Sequence, residues 1–232
     1  MAVALIVAAG RGERLGTDRP KALVSLRGRP MLEWSLEALR AVGAVRAIVV
    51  ALPADWLDAA PEGVIAVAGG AQRSHSVRAA LQRSGDGDPV IVHDAARPLV
   101  TTALFTQALQ ELERSRADAV IAAAPVTDTI KECAADGRTV IRTLDRSRLW
   151  AIQTPQVFRR AALEAALAGS DEHLARATDD AWLIEHAGGT VRIVGSGPGN
   201  LKVTTPEDLR VAELILAQRA AAGGARGESP AR

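Results

Sequence analysis

The sequence has no tyrosine at all, and its aromatic residues amount to only 3% of the chain. Platforms that stack nucleobases in single-stranded nucleic-acid binders need aromatic rings, so that function class is excluded first. Charge of one sign is also missing: 28 Lys and Arg stand against 27 Asp and Glu, a formal net charge of +1. A dedicated nucleic-acid binder would carry a basic excess or stripe. The single cysteine, Cys133, excludes an intramolecular disulfide framework and any zinc site built from several cysteines. The four histidines, His75, His93, His173 and His186, include no pair at the close spacing of a helical metal site. No apolar run approaches the roughly 20 residues that a membrane-spanning helix needs. The apolar opening MAVALIVAAG is short and lacks a basic leader, so a cytoplasmic protein without a membrane partner is expected.

Ala, Val, Leu and Ile must therefore build the core, and at 232 residues with 48% hydrophobic content there is enough chain to bury one. Short apolar runs alternate with longer amphipathic stretches. Val3–Ala8, Ala47–Ala51, Val64–Val67, Val90–His93, Ala119–Ala124 and Val191–Val194 read as strands. Most are apolar at successive positions, as strands covered on both faces are. Pro30–Ala41, Ser74–Arg83, Thr102–Arg114, Arg159–Ala168 and Thr178–Ala187 have helical spacing. Thr205-Pro206-Glu207 has the form of an N-cap with proline at the first helical position. The alternation predicts an α/β fold with a mainly parallel sheet and helices on both faces.

One segment breaks the rhythm. Within residues 127–148, two β-prone stretches, Thr127–Glu132 and Thr139–Leu144, flank the turn-forming Ala135-Asp136-Gly137. This predicts an inserted hairpin arm, charged and poor in core residues, for which a second subunit is the natural partner. No repeat or linker interrupts the remainder, so one domain over 1–219 is expected, with a loose Ala/Gly/Ser/Pro-rich tail over 220–232.

The chemistry concentrates after the first strand, in Ala8-Ala9-Gly10-Arg11-Gly12-Glu13-Arg14-Leu15-Gly16 and then Arg19-Pro20-Lys21. Glycines directly after a parallel strand let backbone N–H groups approach an anion. The pattern is not the dinucleotide fingerprint, whose third glycine would fall where Leu15 stands. Nor is it a Walker loop, since no Gly-Lys-Ser/Thr follows. A glycine loop remains, with two cations, Arg14 and Lys21, able to fold over a polyphosphate. Phosphoryl and nucleotidyl transfer require such neutralisation of non-bridging oxygens.

This loop resembles the opening of the nucleotidyltransferases that activate sugars and polyols. Five further blocks narrow the resemblance: Gly69-Gly70-Ala71-Gln72-Arg73-Ser74-His75-Ser76-Val77, Val92-His93-Asp94-Ala95-Ala96-Arg97-Pro98, Ala124 to Lys131, Trp150 to Gln156, and Asn200-Leu201-Lys202-Val203-Thr204. Together they resemble the 2-C-methyl-D-erythritol 4-phosphate cytidylyltransferase family of the non-mevalonate isoprenoid pathway. The resemblance implies a Rossmann-like sheet of the nucleotide-diphospho-sugar transferase type. It further implies transfer of CMP from CTP to the polyol phosphate, with Mg²⁺ held mainly by the CTP phosphates and no dedicated protein metal site. Arg14, Lys21, Arg146 and Lys202 would be the catalytic cations. Ala8, Ala9, Gly10, Gly12, Gly70 and Ser76 would hold the nucleotide. Asp94, Arg97, Thr129 and Thr154 would hold the polyol phosphate. A homodimer is implied in which Thr129 and Arg146 on the arm serve the neighbour's pocket. The chain departs from the family's common pattern at Ala22 and Leu23, at Ala71 and Gln72, and at Asp180. Two other functions fit the same residues: a cytidylyltransferase acting on ribitol 5-phosphate or another polyol phosphate, and a non-catalytic nucleotide-binding regulator.

Overall fold

A computed structural model describes residues 1–197 and 199–224. In chain order the elements are β1 (Ala2–Val7), β2 (Ser25–Leu26), β3 (Arg29–Pro30), α1 (Met31–Arg40), β4 (Val45–Leu52), β5 (Ile65–Ala68), α2 (Arg73–Arg83), β6 (Val90–Asp94) and α3 (Thr102–Arg114). There follow β7 (Ala119–Pro125), β8 (Lys131–Cys133), β9 (Val140–Thr143), β10 (Trp150–Phe158), α4 (Arg160–Leu167), α5 (Asp171–Arg176), α6 (Asp180–His186), β11 (Val191–Gly195) and α7 (Pro206–Gly224).

The sequence AVALIV of β1 shows why the sheet is buried on both sides. Side chains alternate across a strand. Ala4 and Ile6 therefore enter one core, with Leu32, Leu36 and Leu39 of α1 and Phe105 of α3. Val3 and Leu5 enter the other, with Val77 and Leu81 of α2, Leu163 of α4 and Ile184 of α6. Each fully buried Leu or Phe contributes about 1.5–3 kcal/mol, and the two layers clamp the strands from both faces.

The main sheet has seven strands in the order β11-β7-β10-β6-β1-β4-β5. β1 pairs in parallel with both β4 and β6, so the chain departs from β1 toward opposite edges. That switch point opens a crevice at the carboxyl ends of the strands, where α/β proteins place ligands. The mainly parallel α/β architecture is as expected. β10 is the exception: it runs antiparallel between β6 and β7 and was not foreseen. The short helix α5, capped by the Ser170 hydroxyl accepting from the His173 N–H, was not foreseen either.

The expected arm exists, with shorter ladders. Only Lys131–Cys133 and Val140–Thr143 pair, as β8 and β9. Asp136 closes the turn by accepting from the backbone N–H groups of Arg138 and Thr139 and from the Thr139 hydroxyl. Gly137 takes the left-handed conformation there, at φ 66°. Val140 and Ile141 stand more than half exposed on the arm.

Thr205 caps α7 as expected: its hydroxyl accepts from the Asp208 N–H, while Asp208 accepts from the Thr205 N–H. The helix continues to Gly224, so Ala220 to Gly224 are helical where a loose tail was expected; residues 225–232 lie outside the described residues. A third apolar cluster, including Leu15, Val24, Met31, Val203 and Leu216, ties the glycine loop and the segment around Lys202 to this helix. Among the described residues no helix is long and apolar enough to cross a membrane.

Candidate active site

The crevice at the switch point is a cleft of about 840 Å³. Its floor is the loop after β1. Gly12 and Gly16 adopt left-handed conformations, at φ 74° and 66°, which glycine accepts without a Cβ penalty. The loop then folds back, the Lys21 N–H donating to the Gly10 carbonyl at 3.1 Å. A Cβ on Gly12 would lie 2.9 Å from the Lys21 Cβ, so Gly12 is what lets the lysine pack against the loop. Arg14 and Lys21 both line the cleft. Lys202 arrives from the other side, carried by the segment that Val203 anchors in the third cluster.

Crowding of cations is visible in the protonation of Lys21. Burial, then the like charges of Lys202 and Arg14, lower its pKa from 10.5 to about 8, against weaker support from Asp94 and Asp208. Such a lysine is poised to gain from a polyanion that restores its charge.

Asp94 closes β6 at the mouth of the cleft. Its Oδ2 accepts from the Lys202 ammonium at 2.8 Å and its Oδ1 from Arg73 Nε at 2.9 Å. Burial alone would raise this carboxyl, but Arg73 and Lys202 outweigh it and hold Asp94 well below the usual carboxylate range. Arg73 also reaches Asp180, Nη1 to Oδ2 at 2.5 Å. Burial opposes its charge, yet the two carboxylates overcome that and raise its pKa.

A corner walled by small residues, Ala9, Gly69 and Gly70, lies where the ends of β1, β4 and β5 meet. The Gly69 N–H donates to the Leu52 carbonyl at 2.7 Å, and the Gly70 N–H to the Ser76 hydroxyl at 3.1 Å. A Cβ on Gly69 would stand 2.3 Å from the Ala9 Cβ, and one on Gly70 would stand 2.4 Å from the His75 Cβ. Only glycine fits either place.

The structure thus gathers ten of the sequence-predicted site residues around one cleft: Ala8, Ala9, Gly10, Gly12, Arg14, Lys21, Gly70, Ser76, Asp94 and Lys202. Arg97 and Thr154 lie behind it. Buried Arg97 donates to the carbonyls of Asn200 and Ile152, pinning the Lys202 segment to β10. The Thr154 hydroxyl accepts from the Asp94 N–H at 3.1 Å and sits 3.0 Å from His93 Nδ1. Both hold the walls of the site in place. Thr129 and Arg146 do not line the cleft; they lie exposed on the arm, where Arg146 donates to the Thr127 carbonyl. Arg73 and Asp180 are the additions that sequence reasoning did not select. One signal existed: Arg73 is the first residue of α2, where a cation opposes the helix dipole and calls for an acidic partner.

Fold and cleft together are those of an α/β nucleotidyltransferase: a glycine loop and converging cations at the switch point, with a corner of small residues beside them. The family model for 2-C-methyl-D-erythritol 4-phosphate cytidylyltransferase (IspD) matches residues 2–218. The chain belongs to that family. It is 45% identical over 225 residues to the 2-C-methyl-D-erythritol 4-phosphate cytidylyltransferase of Nocardia farcinica, covering 94% of this chain and 95% of that one. The crystal structure of the Thermus thermophilus enzyme of the same name is similar at TM-score 0.77 and 33% identity, over 93% of this chain and 98% of that one. The 4-diphosphocytidyl-2C-methyl-D-erythritol synthase of Anaerococcus prevotii aligns at TM-score 0.79 and 28% identity, over 94% and 98% of the two chains.

Proposed function

We propose that this enzyme transfers CMP from CTP to 2-C-methyl-D-erythritol 4-phosphate, forming 4-diphosphocytidyl-2-C-methyl-D-erythritol and pyrophosphate. The observation that carries the reading is the convergence of Arg14, Lys21 and Lys202 on one cleft over the glycine loop. Cytosine fits the corner of Ala8, Ala9, Gly10, Gly70 and Ser76, and the triphosphate lies over the loop at Gly12. An oxygen of the substrate phosphate attacks the α-phosphorus and forms the new P–O–P bond. The bond to the β-phosphate breaks, and pyrophosphate leaves with the electron pair. Arg14 and Lys21 neutralise the charge gathering on the α-phosphate, while Lys202 holds the attacking phosphate in line. The nucleophile is already anionic, so no general base is required.

Magnesium, when bound with the nucleotide, would supply Lewis-acid neutralisation of the triphosphate. Among the described residues no three His, Cys, Asp or Glu side chains cluster as a metal site. Of the carboxylates that line the cleft, Glu13, Asp55 and Asp94, the last would help to hold an ion that takes its other ligands from phosphate and water. Arg97 and Thr154 act by keeping Lys202 and Asp94 in place. Thr129 and Arg146 complete the polyol-phosphate pocket of a neighbouring subunit across the arm, in a homodimer. We read residues 1–219 as one catalytic domain, and we place the enzyme in the cytoplasm, where both phosphorylated substrates reside.

Pyrophosphate release measured over a panel of nucleotides and polyol phosphates tests the reading. Release with CTP, 2-C-methyl-D-erythritol 4-phosphate and magnesium is expected. A far higher kcat/KM with ribitol 5-phosphate would give the enzyme a different substrate. No release with any pair would make it a nucleotide-binding regulator.

A further inference from the structure

Arg73 and Asp180 have no part in the roles assigned above, yet each occupies a place that electrostatics disfavours. Asp180 is fully buried, and its Oδ1 has no hydrogen-bond partner among the described residues. Burial pushes its carboxyl up, against the pull of Arg73. A position needed only for packing would be filled more stably by an apolar side chain of similar volume. Arg73 opens α2, the end of a helix that repels cations. These two unfavourable placements meet in one planar guanidinium, whose Nη1 holds Asp180 and whose Nε holds Asp94. Arginine suits this bridging because its donors sit in a fixed fork; a lysine could not hold two carboxylates in set directions.

Residues far apart in the chain thus form one line of contacts: Asp180 to Arg73, Arg73 to Asp94, and Asp94 to Lys202. We propose that Arg73 and Asp180 are positioning residues for the nucleotidyl transfer, Asp180 fixing the guanidinium and the guanidinium fixing Asp94 so that its second oxygen sets the place of Lys202. The proposal rests on the reading of Asp94 and Lys202 given above and extends it to Arg73, in the cleft wall, and to Asp180, fully buried behind it. Two cations and two carboxylates balance in the line. Without the Asp180 charge, Arg73 draws wholly on Asp94, and the hold of Asp94 on Lys202 slackens.

The experiment compares Asp180→Asn, which keeps shape and removes charge, with Arg73→Lys, which keeps charge and removes the fork. For each, kcat and both KM values are measured by pyrophosphate release with CTP and 2-C-methyl-D-erythritol 4-phosphate, beside the thermal midpoint. Misplacement of a positioned group costs roughly tenfold to a hundredfold in rate. We expect kcat to fall by that amount and KM for the polyol phosphate to rise, with KM for CTP within about twofold, since the glycine loop is untouched. The double variant should be no slower than Arg73→Lys alone, because both changes break the same line. Wild-type kcat in both single variants would overturn the proposal. So would losses in all three constants that merely track a falling thermal midpoint. Asp94→Asn separates the two levels: if it turns over normally, the reading of the site fails; if it is impaired while the pair's variants are normal, only the positioning role fails.

Discussion

Lys21 offers a perturbation that needs no mutation, because its protonation is set close to the pH of ordinary assays. Its pKa stands at about 8 rather than 10.5, from burial first and then from Lys202 and Arg14. A triphosphate beside it favours the charged form and must raise that value. Nucleotide binding therefore takes up a proton whenever the free enzyme's lysine is neutral, which is about one tenth of molecules at pH 7 and about nine tenths at pH 9. The apparent affinity for CTP should then weaken about tenfold from pH 7 to pH 9, or about 1.4 kcal/mol. Calorimetry in two buffers of different ionisation enthalpy reads the uptake directly. About half a proton per CTP is expected at pH 8, rising toward one at pH 9 and absent in Lys21→Met. Binding at pH 9 without proton uptake would refute the reasoning. The same shift has a stability consequence of definite sign. The unfolded chain binds more protons between about pH 8 and 10.5, so this group makes stability rise with pH in that window. Below it, the folded protein carries the unfavourable charge, and Lys21→Met at pH 7 should melt no lower than wild type.

Three further outcomes follow from other parts of the structure. Gly69→Ala puts a methyl group against Ala9 and closes the corner beside it, so KM for CTP should rise at least about tenfold while kcat changes less. His93 is fully buried between Ser35 and Thr154, and burial lowers its pKa to about 3, so the unfolded chain takes up a proton there first. Stability should fall as pH drops from about 6.5 toward 3, and His93→Gln should flatten that dependence in urea titrations. If the arm completes a neighbour's pocket as proposed, weakly active Lys21→Ala and Arg146→Ala enzymes should recover activity when unfolded and refolded together; mixtures no better than either parent would remove the shared pocket.

The parallel strands were legible because burial on both faces leaves runs such as AVALIV with no polar interruption. Loop chemistry was legible for a similar local reason: glycines and cations after a strand have few other uses. β10 was not, because Gln153, Pro155 and Gln156 sit inside it and proline argues against an inner strand. The structure accommodates them at a register shift between Ile152 and Gln156, where Gln156 turns to Asp179 and the Ala181 N–H to hold the start of α6. Arg73 and Asp180 escaped for a different reason. Their meeting with Asp94 depends on three elements converging in space, and no spacing along the chain encodes it.

The proposed catalysis rests on the cation cluster in the cleft stabilising charge on the phosphate being transferred. Its most direct test is kcat for pyrophosphate release from CTP and 2-C-methyl-D-erythritol 4-phosphate in wild type and in Lys21→Ala. A donor aimed at transition-state charge contributes about 3–4 kcal/mol, so a fall of about 10²-fold or more is expected with the fold intact. A well-folded Lys21→Ala enzyme with near-normal kcat would mean that the cluster does not stabilise the transition state.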